Sequence, residues 1–364
     1  MDFTLDDELD AVRGLAGEIF TDRADPARIR EVETSATRMD GDLWAELGKA
    51  GLLGVALPEE YGGAGLGLGA LCVLLEEQGR HVAPVPIWPA TVAALAIAAH
   101  GTPEQRAALL PGAVDGSVRL TAALEEFGPH EAAEPECAAR PDGDGWRLTG
   151  VKAVVPTPAG AACVLVSARA PAGPGLFLVA ADAPGVAWEP AETTARDLAG
   201  TLTLTDAPAQ AVGGALGGVL DQARVAVAAL QLGVAQGALR RAADFLAARE
   251  QFGRPLGTFQ AVQHQLADCY IEIDALRVTL WQAVTDVEDG GNAAASVPVA
   301  QWWAAEGGLN VVHRVQHLHG GIGVDVDYPI HRYFLWGKQL AGTLGGASAH
   351  LARLGDALAG GGAP

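Results

Sequence analysis

The chain has 364 residues, 49% hydrophobic and 19% charged, with a formal net charge of −20. That length exceeds what one core comfortably serves and implies two or three domains, while the composition excludes a disordered chain. The acidic balance repels nucleic-acid phosphates and anionic lipid, leaving room only for a local basic site that takes a phosphorylated ligand.

Residues 1–115 read as helices. In "TLDDELDAVRGLAGEIF", Leu5, Leu9, Val12, Leu15 and Ile19 recur at helical spacing, with Thr4 and Asp6 or Asp7 supplying the start. "GDLWAELGKAG", "LGALCVLLEEQGRHV", "PATVAALAIAAHG" and "PEQRAALLPGAVDG" continue the block. From 116 to 215 the chain turns to short β-type runs: "GWRLTGVKAVV", "ACVLVSAR", "GLFLVAAD", "GVAWEP" and "GTLTLTDAP". Leu202 and Leu204 alternate with Thr201, Thr203 and Thr205, the period of a half-buried strand. A small antiparallel sandwich or barrel is expected there. Residues 216–364 return to helices, with amphipathic runs at 219–248, 259–288, 298–317 and 336–359 that imply an antiparallel four-helix bundle. The Gly-rich end reads as frayed.

Cys72, Cys137, Cys163 and Cys269 are too scattered for a zinc site or a disulfide framework. The acidic start "MDFTLDDELD" is neither a signal nor a transit peptide, and no apolar run is long enough to span a bilayer. A cytoplasmic protein is expected.

Three motifs invite chemistry. "GAGLGLGA" carries Gly65, Gly67 and Ala70 in a GxGxxA pattern, but a dinucleotide fingerprint needs a preceding strand and a later ribose acid, and neither stands in place. His313 and His317 lie four apart in "HRVQHLHGG" without a third ligand, which favours a structural or ligand-facing role over a metal. The third, "REQFGRPLGTFQ", breaks the most helix-prone half of the chain with Gly253, Pro255 and Gly257. A tight helix corner explains the glycines and the proline. It does not explain a fork-shaped cation (Arg249), two amides (Gln251, Gln260) and an aromatic face (Phe252) at one corner, a set suited to a phosphate and a heterocycle.

That corner, with "HLHGGIGVDVDYPIHRY", the "LDQAR" that opens the first bundle helix, and the upstream "GLLGVALPEEYGGAGLGLGALCVLLEEQGR", closely resembles the acyl-CoA dehydrogenase family, and the helical–β–helical order matches over essentially the whole chain. The resemblance implies an FAD-dependent enzyme that desaturates an acyl-CoA thioester, usually as a tetramer. It implies that Arg249, Gln251, Phe252 and Gln260 reach across a subunit interface to the adenosine diphosphate part of a neighbour's FAD. Gly320 and Gly321 would touch the same cofactor, and His317 stands where a Gln commonly does. Asp221 and Arg224 would lie by the acyl-CoA channel.

The family reaction needs a carboxylate to take the α-proton while a hydride leaves the β-carbon for the flavin. Here the sequence departs from the pattern: the two positions where members of the family carry that Glu hold Leu344 and Ala223. On the flavin-ring side, a Trp and a following hydroxyl residue are replaced by Val154 and Pro156, and the "TEP…GS" segment is reduced to "ALEEFG". Loss is concentrated at the base and the ring, while the corner that serves a neighbour is kept. The favoured reading is the partner subunit of a heteromeric acyl-CoA dehydrogenase, of the kind used in bacterial degradation of steroid side chains. A homomeric enzyme with Asp221 as an unusual base, and non-redox or structural reuse of the fold, are the alternatives.

Overall fold

The computed structural model describes residues 5–128 and 131–360. Thr4 and the tail beyond Gly360 lie outside them. The described chain packs as two compact units, one of Met1–Arg28, Cys72–Ala83 and Arg224–Pro364, the other of Ile29–Leu71 and Pro84–Ala223.

In chain order the first helices are α1 (Asp7–Arg23), α2 (Pro26–Thr34), α3 (Gly41–Lys49), α4 (Gly67–His81), α5 (Ile87–His100) and α6 (Pro103–Asp115). Asp6 caps α1, its carboxylate accepting the Leu9 N–H at 2.8 Å. The buried face of α1 is Val12, Ala16 and Phe20, and Leu15 is exposed. Val12 of the expected stripe is buried and Leu5, Leu9 and Ile19 are half-buried, but beyond Val12 the buried face runs through Ala16 and Phe20 in place of Leu15. Two 3-10 turns, Leu52–Gly54 and Glu59–Tyr61, precede α4, the second followed by glycines with positive φ at 62, 65 and 67. Among the described residues no strand precedes the GxGxxA pattern, so it is a loop that opens a helix.

The β region comprises β1 (Leu120–Ala123), β2 (Ala138–Asp142), β3 (Gly145–Pro156), β4 (Cys163–Ala170), β5 (Gly173–Ala180), β6 (Val186–Glu192) and β7 (Leu198–Val212). Antiparallel pairs β4–β5, β5–β7, β7–β3 and β3–β2 close through a parallel contact of β2 with β4, giving a small barrel with β6 added on β7. β1 joins β4 in parallel, which a purely antiparallel expectation had not included. Leu202 and Leu204 point into a core with Leu148, Val155, Val164, Val166 and Phe177, while Thr203 and Thr205 face solvent.

The second helical stretch is α7 (Leu216–Ala248), the short hairpin strands β8 (Glu250–Gln251) and β9 (Arg254–Pro255), then α8 (Gln260–Glu288), α9 (Ala293–Trp302), α10 (Leu309–His319), α11 (Ile330–Leu340) and α12 (Ala347–Gly360). A π turn, Trp303–Gly308, joins α9 to α10 without a break. The anticipated fourth bundle helix is two helices, α11 and α12, parted at Gly342, Gly345 and Gly346. α7 and α4 pack backbone to backbone. A Cβ on Gly79 would lie 2.2 Å from the Leu230 carbonyl, and one on Gly233 only 1.9 Å from that of Glu76. Arg80 then bonds Gln236 of α7 at 2.7 Å, Tyr333 of α11 donates to the Arg80 carbonyl at 2.7 Å, and Arg241 of α7 donates to the Tyr333 hydroxyl at 2.9 Å. The C-terminal half of α7 is thus braced from two sides, and the corner that follows it starts from a fixed point. No helix among the described residues is long and apolar enough to cross a membrane.

Candidate functional site

The corner after α7 is a two-residue β-hairpin. The Arg249 N–H continues the helical ladder to the Phe245 carbonyl at 2.8 Å, and the Arg249 carbonyl accepts from Leu256 at 2.8 Å, so the hairpin is pinched at its base. Its turn is Phe252–Gly253, with φ of 55° and 78°. Both central residues in the left-handed region make this the turn that suits a two-residue hairpin, but Asn or Gly normally fills the first place. Phe there costs about 1 kcal/mol, and its ring is 89% exposed, which adds an unburied aromatic to the strain. The ring meets Phe259 edge-on at 6.1 Å, and the Arg254 guanidinium sits 4.0 Å from the Phe259 centroid. Arg249, Gln251 and Gln260 are all exposed as well. Arg249 forms no ion pair among the described residues. Among the described residues the Gln251 side chain bonds only the neighbouring Glu250 carbonyl, and Gln260 touches His264 at 3.3 Å. Four side chains able to grip a ligand therefore project from one rigid corner with little to hold inside their own chain.

The HGGIG segment forms a 3-10 turn, Gly320–Val324, at the end of α10. Gly320 has φ 60° and ψ −142°, a backbone state essentially restricted to glycine. A Cβ on Gly321 would meet nothing within 4 Å, so no neighbour in the chain requires glycine there. His317 is exposed on the last turn of α10. The structure brings this turn to the end of α7 through an aromatic cluster that sequence reading missed. His319 stacks on Phe245 at 4.6 Å, and Tyr328 lies 5.5 Å from His319 and 6.0 Å from Phe245. His319 stands in "HLHGG", but sequence reading assigned it no role, because its partners are remote in sequence.

Asp221 and Arg224 lie one turn apart on α7, Asp221 half-buried and Arg224 buried. The Arg224 carbonyl accepts a bond from Gln301 of α9. Ala223 and Leu344, the two positions where the resemblance would place a Glu, are apolar and buried, at 0% and 2% exposed. Leu344 sits at φ 58° in the break between α11 and α12.

In the barrel, β3 slips register against β7 between Lys152 and Val155. The bulge leaves Val154 at φ 48° and 43% exposed, with Thr157 at φ 40° just beyond. The loop is tied down by its own backbone: Thr121 donates to the Pro156 carbonyl at 2.6 Å, and buried Arg119 donates to the carbonyls of Thr157, at 2.7 Å, and Ala159. Neither Val154 nor Pro156 offers a side-chain donor. Beside the bulge, Lys152 is fully buried and pairs with Glu126 at 2.6 Å and Ser167 at 2.9 Å. Glu126 also accepts the N–H groups of Glu136 and Cys137. The "ALEEFG" segment is thereby fastened to the sheet by a buried ion pair.

Two domain families match the sequence: acyl-CoA dehydrogenase, N-terminal domain, over residues 6–117, and acyl-CoA dehydrogenase, C-terminal domain, over residues 214–356. Acyl-CoA dehydrogenase FadE27 of Mycobacterium tuberculosis is 39% identical over 376 residues, covering 99% of each chain. The chain belongs to the acyl-CoA dehydrogenase family. Members of that family are FAD-dependent oxidoreductases. Among solved structures, a chain of a variant of the Tcur3481–Tcur3483 steroid ACAD is 70% identical with a TM-score of 0.96, covering 98% of this chain and 99% of that one. A chain of the ChsE4–ChsE5 complex from Mycobacterium tuberculosis is 38% identical with a TM-score of 0.95 and full coverage of both.

Proposed function

We propose that this chain is the partner subunit of a heteromeric acyl-CoA dehydrogenase in the cytoplasm, assembled as a tetramer with a homologous catalytic chain. The reading rests above all on the two base positions, where Leu344 and Ala223 are buried and apolar and neither can take a proton. The likeness to chains of the Tcur3481–Tcur3483 steroid ACAD and of the ChsE4–ChsE5 complex supports a two-component assembly, and the first of them points to a steroid-type acyl-CoA.

The residues present fit FAD on one side only. When bound, FAD supplies the hydride sink for α,β-dehydrogenation of the thioester. The corner fits the adenosine diphosphate part: Arg249 would fork the pyrophosphate, Gln251 and Gln260 would bond it, and Phe252 would lie against the heterocycle. Gly320 and Gly321 leave backbone open to close approach, with His317 beside them. The β3 bulge does not fit the flavin ring, because Val154 and Pro156 present no donor and the neighbouring carbonyls are already used. This chain would therefore grip a cofactor whose ring is held by its partner. Asp221 and Arg224 would line the acyl-CoA channel rather than act on the α-carbon.

Mixing experiments separate this reading from the homomeric one. The chain alone should leave an artificial electron acceptor unreduced in the presence of acyl-CoA, and co-expression with the homologous catalytic chain should restore turnover. If Asp221 were the base, Asp221→Asn would lower kcat by several orders of magnitude at unchanged flavin content. The proposed role predicts a change confined mainly to KM. Turnover of a thioester by the chain alone without an electron acceptor would favour non-redox use of the fold.

A further inference from the structure

The two motifs that form the proposed grip, the hairpin after α7 and the glycine turn after α10, belong to different helices and share no backbone hydrogen bond in the described residues. Ring contacts centred on His319 join them. His319 is 5% exposed and lies nearly parallel to Phe245, with an interplanar angle of 20°. Phe245 is the residue whose carbonyl receives the Arg249 N–H. On the other flank, Tyr328 contacts both rings. His319 Nδ1 lies 2.8 Å from the Val315 carbonyl, which can only accept, so the ring carries its proton on Nδ1. Burial pushes the His319 pKa below its usual value, offset in part by that bond. Next along the chain comes Gly320, in its glycine-only conformation.

We propose that His319 is a positioning residue of the dinucleotide grip: its ring, clasped by Phe245 and Tyr328, sets the Gly320–Gly321 backbone in register with the hairpin that carries Arg249. This rests on the corner being a cofactor grip, as argued above. His319 itself contacts no ligand. It fixes the distance between two elements that do, and pre-organisation of this kind appears as affinity.

The test uses the assembly of this chain with its homologous catalytic partner. Flavin affinity is measured by recovery of flavin fluorescence on dissociation, and amide exchange is followed at residues 320–324 of this chain. His319→Leu removes the stack, and His319→Phe keeps it while losing the Val315 bond. The Leu variant should weaken flavin binding about three- to tenfold, the scale of one aromatic pair, and speed exchange at the turn. The Phe variant should stay within about twofold of the parent. Equal losses in both variants would mean that His319 only closes the end of α10, and an unchanged Leu variant would mean that it does nothing for the grip; either result overturns the inference. Should His319→Leu fail to assemble, Phe245→Leu cuts the same stack from its partly exposed side, with the same expected and contrary results. Arg249→Ala, run in parallel, separates the two claims. If it leaves flavin binding unmoved, the grip itself is wrongly assigned. If it releases flavin while the stack variants do not, only the role of His319 falls.

Discussion

The hairpin after α7 and the bulge in β3 are built alike and furnished differently. Each holds non-glycine residues in the left-handed region, Phe252 in one and Val154 and Thr157 in the other, and each is pinned by backbone hydrogen bonds at its base. Strain of this kind persists only where surrounding structure over-determines it, and it gathers at functional sites. At the hairpin the strained turn presents a guanidinium, two amides and an aromatic ring to solvent. At the bulge it presents Val151 and Val154, while Arg119 and Thr121 consume the carbonyls. On the proposed function, the bulge keeps the backbone strain of a ligand site without side chains able to bind one, whereas the hairpin keeps both.

Several variants would break or sharpen that contrast. The largest effect is expected at the barrel. Lys152→Met leaves the Glu126 carboxylate buried without its partner, and removing one member of such a pair costs about 3–5 kcal/mol. Denaturant unfolding should show that loss. Pairing it with Glu126→Gln should recover much of it, because the uncompensated charge is gone. Little loss in the single variant would mean that the segment is not fastened as described.

At the hairpin, Arg249→Ala should lower flavin affinity of the assembly by about one to two orders of magnitude, the worth of a charge-assisted bond at about 1.5–3 kcal/mol. Thermal stability should hardly move, since Arg249 is exposed and makes no ion pair within the described residues.

Phe252→Gly probes strain and function together. Relief of the left-handed conformation should raise stability by up to about 1 kcal/mol, read in the unfolding midpoint. Loss of the ring should weaken flavin retention several-fold. A variant that loses stability would show Phe252 to be part of the packing and not held for a ligand.

The smallest effect is a pH dependence of the barrel. Burial pushes the Glu126 carboxyl up, but bonds from Lys152 and from the Cys137 and Glu136 amides outweigh it and hold the group below its usual 4.5. Lys152 pulls the other way: burial lowers its pKa more than Glu126 restores it. A carboxyl depressed in the folded state stabilises the fold above its unfolded value, and that contribution is lost as pH falls through the folded value. Stability should therefore decline from about pH 4.5 downward, and Glu126→Gln should flatten the decline. An identical acid profile in the variant would remove Glu126 from the account.

Much of the fold was legible because its signals are local. Alternating Leu and Thr marked β7, Ala- and Leu-rich runs marked α7 and α8, and Gly253, Pro255 and Gly257 marked the corner between them. What escaped depends on partners remote in sequence. β1 is four residues long and pairs in parallel with residues 163–166, which no local pattern announces. The π turn at Trp303–Gly308 lets Gly308 meet Gln231 of α7, a tertiary reason invisible in the helix's own period. The split between α11 and α12 could have been read from Gly342, Gly345 and Gly346, and a continuous amphipathic pattern concealed it. In the site, exposed Arg249, Gln251 and Phe252 stood out as chemistry without a local purpose. His319 did not, because its role depends on a stack with Phe245 and Tyr328 that only the folded chain assembles.

The central claim is that this chain grips a cofactor it does not hold alone. The most direct measurement is the flavin content per polypeptide, by absorbance and amino-acid analysis, of the chain purified by itself and of the chain co-assembled with its homologous partner. The account predicts a colourless protein in the first case and one flavin for every two chains in the second. One tightly bound flavin per chain in the protein purified alone would contradict it.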